Sequence, residues 1–255
     1  MAGAAVLERL TVPRAPVLWR VARVREVVEE TASAVTLVLD VDGWPGHVAG
    51  QHLDVRLTAE DGYQAFRSYS IATAPDDDLA ITVERLDDGE VSPYLVDELR
   101  EGDRIEVRGP IGGYFVWDGS ERGPLLLIGG GSGIVPLMAM IRHRAGSGSS
   151  TPTRLLYSSR TLEEVIYREE LDELAARQDG FELFHTLTRS QPDGWTGYGR
   201  RIDAEMLRDV AWPAAEQPQV FICGSTRFVD TAADSLVALG YEPQSVKTER
   251  FGATG

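Results

Sequence analysis

The chain has 255 residues, of which 43% are apolar and 25% charged, and its formal net charge is −15. This length suits two medium-sized domains, and the composition is that of a globular protein with a substantial core. The acidic balance argues against nucleic acid as a partner, because phosphate binding needs a positive surface, and no apolar run approaches the roughly 18 residues of a membrane-spanning helix.

The first 18 residues carry charged side chains among scattered alanines and valines. No sustained apolar stretch follows a basic start, so we expect no secretory signal. Residues 1–18 are therefore predicted to form a loosely attached arm of a cytoplasmic protein.

Cys223 is the only cysteine, so the chain can form no internal disulfide and cannot supply the ligands of most iron–sulfur clusters. The histidines show no metal-ligand spacing to one another or to this cysteine; they are His47, His52, His143 and His185. A metal site built by this chain alone is not expected.

Up to about Asp118 the chain has the short period-two alternation of β-strands, with Asp-Gly turn signals between the runs. About six short alternating strands in roughly 100 residues predict an antiparallel barrel or sandwich. One short helix is predicted from Tyr94 to Leu99, with Ser92 as N-cap and Pro93 at the first helical position. The alternating runs are Trp19 to Val28, Val35 to Val41, Leu53 to Leu57, Arg67 to Ser70, Ile81 to Val83 and Ile105 to Val107.

After Asp118 the pattern changes to apolar strands that alternate with helical segments. This order predicts a doubly wound α/β domain with a five-stranded parallel sheet. The predicted strands are Leu125–Ile128, Arg154–Ser158, Phe181–Leu187, Gln219–Cys223 and Ser245–Glu249, and the predicted helices are Ile134–Arg144, Leu162–Arg177, Asp203–Val210 and Thr226–Leu239.

Arg67, Ser68, Tyr69 and Ser70 form the first chemical motif. Alternation puts Arg67 and Tyr69 on one face of a strand and the two serines on the other. A guanidinium fits a phosphate and a tyrosine ring offers a stacking surface. Taken alone, such a pair is also common on ordinary strand surfaces.

A second motif is the glycine turn from Asp88 to Pro93, which leads into the short helix. Unpaired backbone N–H groups and the positive end of the helix dipole would point outward together at this turn, which favours an anion. A plain helix N-cap is the alternative.

A third motif, Gly129-Gly130-Gly131-Ser132-Gly133-Ile134-Val135-Pro136, joins a buried strand to a helix. Nucleotide pyrophosphates bind at this position of an α/β domain. The spacing departs from G-x-G-x-x-G because Ile134 stands at the third glycine. Four glycines among the residues 129–133 favour nucleotide binding over a turn with no binding role.

These three motifs, with Gly109-Pro110-Ile111-Gly112 and Cys223-Gly224, occur in the order and spacing of ferredoxin–NADP⁺ reductase-like flavoproteins. The chain resembles this family from about Trp19 to Gly252, without a fused iron–sulfur domain. The resemblance implies an FAD-binding barrel at residues 19–118 and a domain for the nicotinamide nucleotide at residues 119–255; FAD rather than FMN follows from the family alone.

The resemblance also assigns roles in the flavin domain. Arg67 would pair with the flavin pyrophosphate together with the turn of Gly89, Val91 and Ser92. Tyr69 would stack on the isoalloxazine ring, and Ser70, next to Ser68 in the motif, would hydrogen-bond near the flavin N5, which accepts hydride.

In the nucleotide domain, the pyrophosphate would lie on Gly130, Gly131, Ser132 and Gly133. Cys223, followed by Gly224, would lie beside the nicotinamide C4. Glu249 would relay protons to reduced flavin, and Phe251 would cover the ring. Ser70, Cys223 and Glu249 are thus the predicted catalytic residues.

The nucleotide is predicted to be NADPH, with NADH possible. The strand that ends in Ser158-Ser159-Arg160 carries no acidic residue to repel a 2′-phosphate. Two further pairs, Thr188-Arg189 and Arg200-Arg201, resemble the pattern by which NADP-dependent relatives hold that phosphate. Surface arginines in an arginine-rich chain are the alternative.

The predicted function is a flavoprotein reductase that passes electrons from NADPH through FAD to a soluble carrier, such as ferredoxin or flavodoxin, or to a partner oxygenase. Because such carriers are acidic, Arg20, Arg23 and Arg25 are predicted to form a basic docking patch. The alternatives are a reductase of free flavin or quinone, an electron-transfer subunit of a larger complex, and a binding module that has lost its flavin.

Overall fold

The computed structural model describes residues 17–120 and 123–251. The first half folds into six antiparallel strands in the spatial order β4-β3-β6-β1-β2-β5. A bridge between Ile71 and Ile81 brings the two edges together, which closes the sheet into a barrel. The predicted antiparallel barrel is confirmed. Its strands are β1 Trp19–Thr31, β2 Ala34–Val41, β3 His52–Thr58, β4 Gln64–Ser70, β5 Ala80–Glu84 and β6 Arg104–Ile111.

The barrel is held together by the inward side chains that the period-two pattern predicts. On β1, Ala22 and Val24 are fully buried while the neighbouring Val21 is exposed. Leu53 and Val107 are likewise fully buried. Burying one such Val or Leu side chain contributes roughly 1.5–3 kcal/mol relative to leaving it in water.

The second half forms a five-stranded parallel sheet in the order β11-β10-β7-β8-β9. The chain winds outward from β7 to β8 and β9, then returns to the other side of β7, so that the strand order reverses between β7 and β10. The predicted doubly wound domain is confirmed. Its elements are β7 Leu125–Gly130, α1 Ile134–Gly146, β8 Thr153–Ser159, α2 Arg168–Ala176, β9 Phe181–Leu187, α3 Ala204–Val210, β10 Gln219–Ser225, α4 Thr226–Ala238 and β11 Val246–Phe251.

Two predicted helices differ from the structure. Leu162–Arg177 is not one helix: a single 3₁₀ turn at Leu162–Glu164 is followed by a turn, and α2 begins only at Arg168. Tyr167, with φ 61°, redirects the chain because its buried ring contacts the barrel, where its hydroxyl hydrogen-bonds to Thr82. The short helix after the glycine turn is a π-helix at Tyr94–Glu98.

Ser92 does not cap that helix, contrary to the prediction. Its hydroxyl is buried and accepts a hydrogen bond from the Leu86 N–H at 3.1 Å, within the preceding turn. The serine side chain therefore shapes the turn, and the first N–H groups of the helix have no side-chain partner.

The two domains share one hydrophobic cluster, in which Ala49, Phe115 and Trp117 of the first half pack with residues of α1, β10 and α2. The rings of Phe115 and Phe221 meet edge to face at 5.3 Å. Arg142 of α1 also donates to the Ala72 carbonyl at 2.7 Å. The position of the boundary near Asp118 stays a prediction, and of the predicted arm, residues 1–16 lie outside the described residues.

Within the described residues, no helix is both long and apolar enough to cross a membrane.

Candidate functional site

The carboxyl ends of β7 and β10 lie side by side at the reversal of strand order. Cys223 on β10 is in register with Gly129 on β7, and the glycine-rich loop packs on the Cys223 backbone. A Cβ atom at Gly133 would lie 2.2 Å from the Cys223 carbonyl oxygen, so only glycine fits there. Ligands of parallel α/β sheets bind at such a reversal, and the structure brings the predicted loop and Cys223 together at it.

Two further glycines of this edge, Gly130 and Gly224, face one aromatic ring. A Cβ atom would lie 3.1 Å from the Phe228 ring at Gly130 and 2.7 Å from it at Gly224. Phe228 on α4 therefore packs over both strand ends, and the absence of side chains at the two glycines allows this close approach.

A histidine connects the strands that carry the three predicted catalytic residues. Cys223 is in register with Glu249 on β11, and Nδ1 of His52 on β3 lies 3.9 Å from Oε1 of Glu249. His52 is in turn the cross-strand partner of Ser70 at the end of β4. The contact of His52 with Glu249 thus connects the barrel strands that end near Ser70 with the sheet strands that carry Cys223 and Glu249.

Burial governs the protonation of this cluster. It raises the pKa of the Cys223 thiol well above its usual range, to which the charge of Glu249 adds, so Cys223 stays protonated at neutral pH. Burial also raises the pKa of Glu249 to about 7 and lowers the pKa of His52. The Glu249 Oε2 atom is buried and makes no hydrogen bond within the described residues. Glu249 therefore gains and loses a proton near neutral pH.

The Arg-Ser-Tyr-Ser strand has the predicted two-faced arrangement. Tyr69 packs against the barrel core, and burial raises its pKa. Ser68 points to the opposite face, where its hydroxyl donates to Asp54 at 2.6 Å. The Arg67 guanidinium is half exposed and pairs with the equally exposed Glu90 at 2.7 Å.

The neighbourhood of Arg67 fits a diphosphate. Glu90 is the residue between Gly89 and Val91, so the carboxylate on Arg67 comes from the predicted anion turn itself. Among the described residues, the backbone N–H groups of Val91 and Ser92 have no acceptor. The guanidinium also donates to the Phe66 carbonyl at 2.7 Å, and with two free N–H groups beside it this position is chemically suited to a phosphate chain.

A carboxylate also lies on the glycine-rich loop. Oε2 of Glu84, the last residue of β5, accepts the Ser132 N–H at 3.3 Å. Gly131, with φ +56°, turns the loop so that this N–H faces the barrel. The loop N–H groups and the amino end of the 13-residue α1 attract an anion here.

The predicted 2′-phosphate residues gather at the ends of β8 and β9. The N–H groups of Thr188 and Arg189 donate to the carbonyls of Ser159 and Arg160, and Thr186 holds the Arg200 carbonyl. The Arg200 guanidinium is occupied by Asp203 at 2.7 Å and Glu205 at 3.1 Å. Arg189 and Arg201 are exposed and form no ion pair with any residue in the described ranges.

Phe251 ends β11 beside Ser225, and the residue is 40% exposed. It lies two residues beyond Glu249, at the same sheet edge. Its role over the flavin ring stays a prediction, and Gly252 to Gly255 lie outside the described residues.

The predicted basic patch is not formed. Arg25 is paired with Asp78 and Asp40, and Arg20 alternates to the other face of β1 from Arg23. Arg23 pairs in register with Arg104, the first residue of β6, whereas Ile111 at the other end of β6 pairs with His52. Seven residues of strand put Arg23 roughly 23 Å from the end of the barrel that carries His52.

Three residues of the site were missed by sequence reasoning: His52, Glu84 and Glu90. The only available signal was their position at strand ends or beside a predicted motif, because the partners of His52 and Glu84 are distant in sequence and come from the other domain.

Comparison with known proteins gives two family models. Residues 22–116 match an oxidoreductase FAD-binding domain, and residues 127–234 match an oxidoreductase NAD-binding domain. The matches cover the barrel and most of the parallel sheet.

Among curated relatives, a glycine betaine monooxygenase reductase subunit from Pseudomonas aeruginosa is 31% identical over 80% of this chain. A ferredoxin reductase component of 3-ketosteroid-9-alpha-monooxygenase from Mycobacterium tuberculosis is 34% identical over 90% of it. The chain spans 56% and 64% of the lengths of these two relatives. Ferredoxin–NADP reductase B from Sorangium cellulosum is 34% identical over 80% of this chain and 84% of the relative.

Solved structures share the two-domain fold. The FAD/NAD-binding domain of nitric oxide dioxygenase from Vibrio cholerae superimposes with a TM-score of 0.81 at 25% identity, covering 92% of this chain and 99% of that one. A ferredoxin NADP⁺ reductase from Neisseria gonorrhoeae gives a TM-score of 0.78 at 19% identity, with 91% and 98% covered. With its FAD-binding barrel, its NAD-binding parallel sheet and these relatives, the chain belongs to the ferredoxin–NADP⁺ reductase-like flavoproteins.

Proposed function

We propose that the protein is a reductase that takes hydride from NADPH and passes electrons through FAD to a separate carrier, such as ferredoxin or flavodoxin, or to a partner oxygenase. The observation that carries this proposal is the contact between the domains in which Glu249, in register with Cys223, lies 3.9 Å from His52, the strand partner of Ser70. Two relatives named as reductase components of monooxygenases support this kind of acceptor.

In this proposal the barrel holds the flavin. Arg67 and the N–H groups of Val91 and Ser92, next to Gly89, bind its pyrophosphate, Tyr69 stacks on its ring, and Ser70 hydrogen-bonds near N5. Bound FAD would supply the hydride acceptor and the ability to release electrons one at a time.

The parallel sheet binds the nicotinamide nucleotide in this proposal. The loop from Gly130 to Gly133 holds its pyrophosphate, and Cys223 and Gly224 shape the space for its nicotinamide. Because burial keeps Cys223 a neutral thiol, its part is packing and polarity, not nucleophilic attack. The catalytic gain comes mainly from holding two rings at the right distance and orientation.

Glu249 is the proposed proton relay. Its pKa of about 7 allows it to take up and release a proton at neutral pH, which a carboxylate with an ordinary pKa does poorly. Phe251, at the end of the same strand, is proposed to cover the outer face of the flavin site.

The preference for NADPH rests on the arginines at the ends of β8 and β9. Arg189 and Arg201 are the strongest candidates for the 2′-phosphate, with Thr188 positioning the loop, because Arg200 is already neutralised by two acids. Steady-state kcat/KM should favour NADPH over NADH, and Arg189→Ala with Arg201→Ala should lower it for NADPH by roughly tenfold or more while changing NADH little. An equal or higher kcat/KM for NADH in the unmodified enzyme would refute the preference.

The acceptor is tested by anaerobic reduction with NADPH, followed by addition of ferredoxin, flavodoxin, free flavin or quinone. Fast oxidation by a protein carrier supports the proposal. Turnover with only free flavin or quinone would favour a small-molecule reductase instead, and activity only in a purified complex would favour an electron-transfer subunit. A colourless protein that takes up no FAD would refute all three.

The proposed setting is the cytoplasm, where reduced nicotinamide nucleotides are produced.

A further inference from the structure

The glycine-rich loop already carries an anion from its own chain. Glu84 ends β5 of the barrel, yet its Oε2 atom accepts the Ser132 N–H of the other domain at 3.3 Å. The same oxygen would lie 3.7 Å from a Cβ atom at Gly131, so it covers the inner side of the loop. The Glu84 side chain is only 21% exposed, which keeps its charge close to the loop.

The same carboxylate reaches the neighbouring strand end. Oε1 of Glu84 lies 3.7 Å from a guanidinium nitrogen of Arg160, which follows β8. Arg160 is held more closely by Glu164, at 2.8 Å. A cation beside the loop is therefore shared between two acids, and one of them comes from the flavin domain.

A carboxylate and a phosphate would compete for the glycine-rich loop at the amino end of α1. The Ser132 N–H and the helix dipole at the amino end of α1 favour any anion, and the phosphate chain of a nucleotide needs the same groups. Two anions cannot both take the Ser132 N–H, and like charges that are held a few ångströms apart repel each other.

We propose that Glu84 occupies part of the phosphate-binding position of the glycine-rich loop and thereby weakens the binding of the nicotinamide nucleotide. Entry of the nucleotide displaces this carboxylate or binds against its charge. Glu84 is thus a residue that sets affinity for the diphosphate, and its displacement also releases a contact between the two domains. The inference rests on the proposed nucleotide site.

The test is calorimetric titration of the FAD-loaded protein with ADP and with adenosine. Loading with FAD keeps ADP out of the flavin site, and adenosine reports on the base and ribose alone. Glu84→Gln, which removes the charge at nearly the same shape, should tighten ADP binding by roughly three- to tenfold and leave adenosine unchanged. Glu84→Ala, which also frees the Ser132 N–H, should tighten it at least as much.

Glu164→Gln is the matched control, because it removes the closer acid from Arg160 without touching the loop. Its effect on ADP should be clearly smaller than that of Glu84→Gln. Equal tightening in the two variants would mean that the release of Arg160 is responsible, which would overturn the inference.

The inference is also overturned if the unmodified protein binds ADP and both Glu84 variants, folded as judged by circular dichroism, bind it no more tightly. Failure of the proposed function looks different: FAD-loaded unmodified protein and all variants would bind neither ADP nor NADP⁺, and the inference would fall with it.

Discussion

The two phosphate positions proposed for this molecule are formed by different chemical groups. In the barrel, the positive charge is the half-exposed side chain of Arg67, which a surface carboxylate, Glu90, holds in place. In the parallel sheet, the attraction comes from backbone N–H groups of a loop whose Gly133 touches the backbone of Cys223. A site made of side chains can lose its function while the fold survives, whereas a site made of backbone is inseparable from the packing beneath it.

The largest expected effect is at Gly133. Gly133→Ala forces a methyl group to within 2.2 Å of the Cys223 carbonyl oxygen, which cannot move without shifting β10. We expect a loss of roughly 3 kcal/mol or more in the free energy of unfolding, with nucleotide binding lost as well. Urea denaturation and thermal melting measure the loss.

Gly146→Ala provides the matched control, because a Cβ atom at Gly146 meets nothing within 4 Å. The two variants should differ by several degrees or more in Tm. If Gly133→Ala melts with the unmodified protein, the contrast between a backbone-built and a side-chain-built site is wrong.

The next effect concerns the charge of Glu249 at the same sheet edge. Because burial raises its pKa from an ordinary 4.5 to about 7, the folded protein binds this proton more tightly than the unfolded chain does. The stabilisation is complete below about pH 4.5 and is lost as the pH rises through about 7. The expected loss is on the order of 3 kcal/mol, and Glu249→Gln should remove this part of the pH dependence.

Urea unfolding of both proteins between pH 5 and pH 8.5 measures this difference. As the pH rises, the free energy of unfolding of the Glu249→Gln protein should increase relative to that of the unmodified protein. A constant difference between the two across this range would show that the carboxyl titrates normally.

The smallest effect on the fold is expected at Arg67. Arg67→Ala should change the free energy of unfolding of the FAD-free protein by less than about 0.5 kcal/mol, because its ion pair with Glu90 is half exposed. It should weaken FAD binding by roughly tenfold, because a charge-assisted contact with phosphate is lost. Fluorescence titration of the FAD-free protein with FAD measures the affinity.

Arg23→Ala is the control for that experiment, since Arg23 is exposed at the far end of the barrel. It should leave FAD affinity unchanged. An unchanged affinity in the Arg67→Ala protein would remove Arg67 from the flavin site.

Sequence reasoning recovered the parts of this protein that local patterns encode. Period-two alternation gave the barrel strands because their inward residues are the buried ones, and the glycine run located the loop because Gly133 tolerates no side chain. The predicted helix at Leu162–Arg177 was wrong before Arg168, because Val165, Ile166 and Tyr167 are buried by tertiary packing that includes a contact with the barrel, which overrides helical periodicity.

Contacts between the domains could not be predicted from the sequence. Glu84 meets Ser132, and His52 meets Glu249, across long stretches of chain and from different sheets. The predicted basic patch failed for a related reason. Neither the acids that neutralise Arg25 nor the direction of Arg20 can be read from a run of arginines.

The edge-to-face contact of Phe115 with Phe221 has a consequence for how the chain can be divided. The contact belongs to an apolar cluster with residues from both halves. Cutting the chain between the halves would therefore expose apolar surface on each fragment. We therefore expect heat to melt both halves in one cooperative step.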